Sequence, residues 1–124
     1  DATIVTYGVG VHWALAEAEH QAEANGVELE VVDLRTLVPW DRETVRQSLD
    51  KTNRLLVLHE ASRTAGFGAE VAAELGEIGF ELLDAPITRV AAEDLPVPNA
   101  KPLEDEIFSA EARLRPKVED LLAF

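Results

Sequence analysis

Apolar positions along this chain fall into short β-branched runs separated by longer stretches with helical spacing, the pattern of strands alternating with helices. Ala2 to Tyr7 reads as a strand that Gly8-Val9-Gly10 breaks at once. Val11, Ala14, Leu15, Ala18 and Ala22 then keep helical spacing, with Glu17, Glu19, Gln21 and Glu23 off that face and Asn25-Gly26 as a stop. Glu28 to Val32 follows as a second strand. These elements make a βαβ unit, whose crossover is expected to be right-handed.

The stretch Val31 to Asp41, VVDLRTLVPWD, is the firmest part of the pattern. Pro39 forbids its strand to continue as a central one, and Asp41 stands where a helix over Arg42 to Lys51 wants its N-cap. Val45 and Leu49 lie one turn apart in that helix, and Thr52-Asn53 closes it. Leu55 to Leu58 is a continuous apolar run, as expected of a strand covered on both faces, and it ends at His59-Glu60. A polar loop through Gly66 and Gly68 leads to a helix marked by Val71, Ala72, Leu75 and Ile78 and stopped by Gly79.

Phe80 to Leu83 reads as a fourth strand and Ile87 to Val90 as a fifth, with Pro86 placing one of them at an edge or bend. Ala91 to Pro102 reads as loop, because Pro96, Pro98 and Pro102 each lack a backbone donor. The last helix is expected from about Ser109 to Ala123, unless Pro116 moves its start toward Arg115. Leu114, Val118, Leu121 and Leu122 form its apolar side.

The 124 residues are expected to form one domain over their whole length. No apolar run approaches the roughly 20 residues of a membrane span, so the chain reads as soluble. Lys and Arg total 11 against 24 Asp and Glu, a net charge of −13 that repels phosphate backbones and anionic lipid. Nucleic acid and membranes are therefore poor partners, and a basic protein surface is a better one. The absence of cysteine excludes disulfides and thiolate chemistry. With no Met, and Asp1 set directly before the apolar Ile4-Val5 run, the sequence reads as a piece of a longer polypeptide.

Several residues invite chemistry. Gly8-Val9-Gly10 between strand and helix resembles a dinucleotide turn, but Trp13 stands where the third glycine belongs, so tight-turn glycines are the better account. His12, His20 and His59 lack metal-ligand spacing, and no nucleophile triad can be assembled from local motifs. His59, Glu60 and Arg63 leave the third strand beside a glycine-containing loop, where with His12 they could converge. Their expected role is to orient the loop and hold a subunit contact. Arg35 follows the second strand at its carboxyl end, where loops of open α/β sheets meet ligands and partners. Asp84, Glu93, Asp94, Glu104, Asp105, Glu106, Glu119 and Asp120 crowd the last third, an acid excess that would speed docking of a basic partner.

Four blocks in order, TYGVGVHWAL, VVDLRTLVPWD, HEASRTAGFGAEVAAEL and DAPITRVAAEDLPVPNAKPLED, resemble the C-terminal domain of the beta subunit of thiamine-diphosphate-dependent 2-oxo-acid dehydrogenases. His59-Glu60-Ala61 resembles the branched-chain (2-oxoisovalerate) form. The resemblance implies an α/β fold of the transketolase C-terminal type: a three-layer α/β/α sandwich on a five-stranded, mixed, mostly parallel sheet. It implies a parent heterotetramer of two alpha and two beta subunits, within a multienzyme complex of branched-chain amino acid catabolism. That enzyme decarboxylates a 2-oxo acid on thiamine diphosphate and magnesium and passes the acyl group to a lipoyl group. The compartment implied is bacterial cytoplasm or the mitochondrial matrix.

In such enzymes the cofactor is held elsewhere, so no catalytic, cofactor-binding or metal residue is expected here, and the isolated chain is expected to be inactive. Its implied work is to pair beta with beta, to brace the cofactor-bearing domain and to dock the basic subunit-binding domain of the acyltransferase. Asp84 and the carboxylate of Phe124 are the preferred contacts, with His59, Glu60, Arg63 and Arg35 as further interface candidates. Two other readings stand beside this one. One is a small-anion-binding regulatory domain using Gly8, Gly10, Arg35 and His59; the other is the equivalent domain of pyruvate dehydrogenase beta or of a transketolase.

Overall fold

The computed structural model describes residues 1–107 and 110–124. Strands β1 (Ala2–Thr6), β2 (Leu29–Asp33), β3 (Leu55–Ser62) and β4 (Thr88–Ala92) alternate with helices α1 (Gly10–Asn25), α2 (Arg42–Thr52) and α3 (Phe67–Ile78), and α4 (Lys101–Ile107) and α5 (Ala110–Leu122) follow β4. The sheet order is β2-β1-β3-β4, and every pairing is parallel.

Side-chain alternation along the strands builds the layers. Ile4, Leu56, Leu58 and Val90 point to one face, where Ala14 of α1 and Leu114, Val118 and Leu121 of α5 cover them. Val5, Leu55 and Val57 point to the other, beneath Val45 and Leu49 of α2 and Val71 and Leu75 of α3. The result is the expected α/β/α sandwich. Central β1 is buried at all its positions, which is why its sequence reads as a run rather than an alternation.

Helix ends follow local chemistry. The Asp41 carboxylate accepts from the Thr44 amide at 3.0 Å, as an N-cap should, and holds its own pKa below the usual range through that bond. Gly26, at φ 66°, closes α1 in the left-handed conformation, its amide donating back to Ala22. Buried Glu17 of α1 accepts from Gln21 at 2.7 Å and pairs with Arg115 of α5 at 3.1 Å, which fixes the two helices of that face to each other.

Four expectations are corrected. The sheet of the described residues has four strands, all parallel, not five with one reversed. Phe80 to Leu83 is not a strand: Phe80–Leu82 is a 3₁₀ turn, closed by Leu82 N–H to Gly79 O and Leu83 N–H to Phe80 O. The turn is stapled to the loop before β3, since Asn53 donates to Leu82 O and accepts at its own carbonyl from the Asp84 amide. These bonds leave it no sheet partner. The expected fifth strand is β4, which starts one residue later, at Thr88, and runs two residues further, through Ala92.

The third correction lies in the proline segment, whose end is helical. Pro102 takes the second position of α4, where a missing amide costs nothing. The fourth concerns Pro116, which is inside α5 and does not mark its start. It deprives the carbonyl of Ala112 of its partner, and Ala112 is exposed. The expected start at Ser109 lies outside the described residues. Strand β3 also continues beyond Leu58 through His59 and Glu60, with a register shift before Ser62.

Candidate functional site

The first crossover leads from β1 outward to β2, and the later ones lead the opposite way, so the sheet changes direction between β1 and β3. Loops at the carboxyl ends of the strands meet there, the usual place for contacts in such folds. The β2–α2 loop is anchored by Leu34 and Trp40, both buried. Trp40 donates to Glu74 of α3 at 2.9 Å, and Arg42 pairs with the same carboxylate and lies over the indole, 5.4 Å from its centroid. The Arg42 hydrogen bond holds the Glu74 carboxyl below its usual range. With its ends fixed, the loop presents Val38 (88% exposed) and Arg35, whose guanidinium pairs with Asp33. Arg35 borders an open hollow with Gly8, Val11 and His12.

His59 is placed differently. Its side chain has no accessible surface and lies on the α3 face of β3, in stacked contact with Tyr7. A Cβ at Gly66 or Gly68 would collide with the imidazole, so the glycines of that loop serve to admit this ring. Among the described residues neither ring nitrogen meets a partner at full hydrogen-bond geometry. Burial pushes the imidazole below its usual pKa, an effect the Ala61 backbone partly offsets and the Arg89 charge reinforces. His59 is thus a neutral wedge between β3 and the start of α3, with no surface to offer a partner. It is also separated from Arg35 by β1, so the anion-sensing constellation of Gly8, Gly10, Arg35 and His59 does not assemble.

Nor do His12, His59, Glu60 and Arg63 converge. His12 borders the Arg35 hollow, whereas Glu60 points to the α1/α5 face, away from His59, in a separate hollow of about 440 Å³ with Trp13, Lys101, Glu104, Asp105 and Glu111. Arg63 turns toward β4, its Nη1 donating to Arg89 O at 2.8 Å while Arg89 Nη1 donates to Arg63 O at 3.1 Å. Beside it, the Asp94 carboxylate accepts from the Thr64 amide at 2.8 Å and the Thr64 hydroxyl at 2.6 Å, tying the loops after β3 and β4 together. Those bonds, with smaller help from Arg63 and Arg89, keep the Asp94 carboxyl below its usual range.

Asp84 and Phe124 lie at the other end of the molecule. Asp84 is exposed in the turn before β4. Helix α5 starts beside the carboxyl end of β4, where Arg113 donates to Ala91 O at 3.0 Å, and therefore runs back to leave Phe124 at the amino ends of the strands. Phe124 is 69% exposed and Phe80, after α3, is 74% exposed. The six interface candidates thus divide: Asp84 and Phe124 at the amino end, Arg35, Glu60 and Arg63 at the carboxyl end, and His59 inside. Sequence reasoning missed Trp13, half-buried against the core of the α1/α5 face and lining the hollow beside Glu60.

Among the described residues no three His, Asp or Glu are grouped to hold a divalent ion. The N-terminus of α1 opens beside Asp33 and Arg35, which neutralise each other.

Residues 1–114 match the transketolase C-terminal domain family. The chain is 46% identical over 98 residues to 2-oxoisovalerate dehydrogenase subunit beta 2, mitochondrial, of Arabidopsis thaliana, covering 79% of this chain and 27% of that protein. It is 40% identical over 104 residues to the pyruvate dehydrogenase E1 component subunit beta of Rhizobium meliloti, covering 84% of this chain and 22% of that protein. It thus spans about a quarter of the length of these relatives. Among solved structures, a split gene transketolase, described as an inactive beta4 tetramer, superposes with a TM-score of 0.83 at 28% identity, covering 99% of this chain and 39% of the other. With its α/β/α layers, its parallel sheet and these relatives, the chain belongs to the transketolase C-terminal domain family, in the form carried by beta subunits of 2-oxo-acid dehydrogenases.

Proposed function

We propose that this chain is the assembly and partner-docking domain of a branched-chain 2-oxo-acid dehydrogenase beta subunit. The parent reaction is oxidative decarboxylation on thiamine diphosphate with acyl transfer to a lipoyl group. The carboxyl end, with Arg35, Glu60 and Arg63, faces the alpha subunit, the second beta subunit or the cofactor-bearing half. The amino end, with Asp84 and Phe124, docks the basic subunit-binding domain of the acyltransferase.

The observation that carries this reading is the amino end itself. Two aromatic side chains, Phe80 and Phe124, are exposed there, as are Glu81, Asp84 and Glu119, while Asp120 is exposed but paired with Lys117. Apolar anchors rimmed by one sign of charge suit a partner of the opposite sign. A net charge of −13 would also speed the approach of a basic domain. Relatives of both branched-chain and pyruvate types match the chain, so the branched-chain choice rests on the His59-Glu60-Ala61 block.

Calorimetric titration with the subunit-binding domain of a lipoyl acyltransferase tests the reading. Binding should weaken with salt, and Asp84→Asn or deletion of Phe124 should lower affinity by about tenfold, the loss of one desolvated contact. Glu60→Gln, at the opposite end, should leave it unchanged. Equal loss in all three variants, or no binding by the intact chain, would refute it.

A further inference from the structure

Strand β4 is the edge of the sheet, and its outward side is neither bare nor sealed. Ala92 O points inward, accepting from the Arg63 amide at 3.0 Å, so by alternation the carbonyls of Arg89 and Ala91 point outward. Arg63 caps the first and Arg113 the second. The edge is thereby closed to an added strand, since its acceptors are already taken. Beyond these caps lies a half-open groove of about 330 Å³ between β4 and α5, at the small end of the range for small-molecule sites, roughly 300–1,000 Å³.

The groove differs in charge from the rest of the molecule. Among the described residues, its lining holds the cations Arg63, Arg89, Arg113 and Lys117 and a single acid, Glu93, in a chain whose net charge is −13. Glu93 is engaged by Arg113 at 2.7 Å, and Lys117 pairs with Asp120 at 2.8 Å. Arg113 is further committed to Ala91 O and Ile107 O. Among the described residues, Arg63 and Arg89 each spend one hydrogen bond on the other's carbonyl, out of five N–H donors that a guanidinium carries. The remaining lining is aliphatic: Val90, Ala91 and Ala92 of β4, with Ala112 and Pro116 of α5.

We propose that this groove binds a small aliphatic carboxylate. The apolar strip between β4 and α5 takes the hydrocarbon body, and Arg89, supported by Arg63, takes the carboxylate. A planar guanidinium pairs with a carboxylate through two parallel bonds, which a phosphate can also accept, but phosphate leaves the aliphatic strip unfilled. A half-open groove of this size holds such a ligand weakly, with a dissociation constant of about 1–10 mM.

The test is a nitrogen–proton NMR titration of the 124-residue chain with sodium isovalerate, inorganic phosphate and the neutral isostere isopentanol. Isovalerate should shift the amides of Arg89–Glu93 and Ala112–Lys117 and saturate, while phosphate and isopentanol should each bind at least about fivefold more weakly. Arg89→Gln should weaken isovalerate by about tenfold. Ala112→Leu, which fills the groove on an exposed helical position without changing charge, should weaken it likewise, and keeps the test decisive if Arg89→Gln fails to fold. Shifts that do not saturate, lie elsewhere or survive Ala112→Leu would overturn the proposal. Phosphate binding as tightly as isovalerate would overturn it too, by showing a site for charge alone.

Discussion

The imidazole of His59 lies parallel to the ring of Tyr7, with centroids 6.0 Å apart and planes 9° from each other. This stack joins the end of β3 to the turn after β1, and Phe67 at the start of α3 meets Tyr7 edge-on at 6.2 Å. The rings thus pin together the loops at the point where the sheet changes direction. They do so from inside, and the exposed residues around them are held in place as a consequence.

Gly68 is required by that ring. Gly68→Ala would raise helix propensity on α3, by about 1 kcal/mol at an unconstrained position, but its methyl meets the His59 imidazole. Overpacking of this kind costs about 1–3 kcal/mol, so net destabilisation is expected in urea unfolding. Combining it with His59→Ala should recover part of the loss, and strict additivity of the two changes would rule out the contact as the cause.

Stability should depend on pH through His59. Burial lowers its folded pKa below the unfolded value, so near and below that unfolded value the unfolded chain binds more protons. The contribution is therefore fully present above about pH 6.5 and is lost as pH falls through the folded pKa. Denaturant midpoints measured between neutral and acid pH should decline, and His59→Phe should flatten that part of the profile. An unchanged profile in the variant would assign the acid sensitivity to carboxylates instead.

A buried hydroxyl cluster holds α2 to the sheet. Thr3 Oγ1 of β1 lies 2.7 Å from Ser48 Oγ and 2.8 Å from Thr52 Oγ1, and all three residues are buried. Thr3→Val keeps the shape but takes a partner from Ser48 and from Thr52, which retains only its 3.3 Å bond to Arg54 O, and should cost about 1–3 kcal/mol. Replacing all three (Thr3→Val, Ser48→Ala, Thr52→Val) should cost less than the sum of the single changes, because no donor is then left alone. Thermal unfolding of the parent chain, the three single variants and the triple variant measures the difference.

The chain alone is expected not to bind thiamine diphosphate with magnesium and not to turn over 2-oxo acids. Calorimetry with cofactor and magnesium should give no heat of binding at micromolar protein. A stoichiometric, tight isotherm would mean that the carboxyl-end loops can assemble a diphosphate site after all.

Much of the framework was legible in the chain. The β1–α1–β2 unit, the Asp41 cap, the Gly26 stop and the continuous apolar run of β3 each follow from local rules that act within a few residues. The acid excess and the four family blocks were also visible without any contact being known. The Phe80–Leu82 turn was not, since its apolar residues match a strand and only Asn53, far away in sequence, draws its backbone out of reach of the sheet. Pro116 misled for a similar reason: a proline usually ends a helix, but the packing of Leu114, Val118 and Leu121 on the sheet carries α5 through it.

Sequence by itself therefore determined which segments are strands and helices where propensity, period and capping agree, the sign of the surface charge, and the family. Only tertiary structure decided which side chains share a surface. It buried His59, sent Glu60 and Arg63 to different hollows, set Asp84 and Phe124 at the opposite end from Arg35, and gathered four cations from the loop after β3, from β4 and from α5 along one edge. The physical reason is that strand direction and helix packing, which no local pattern encodes, decide where residues distant along the chain come to lie.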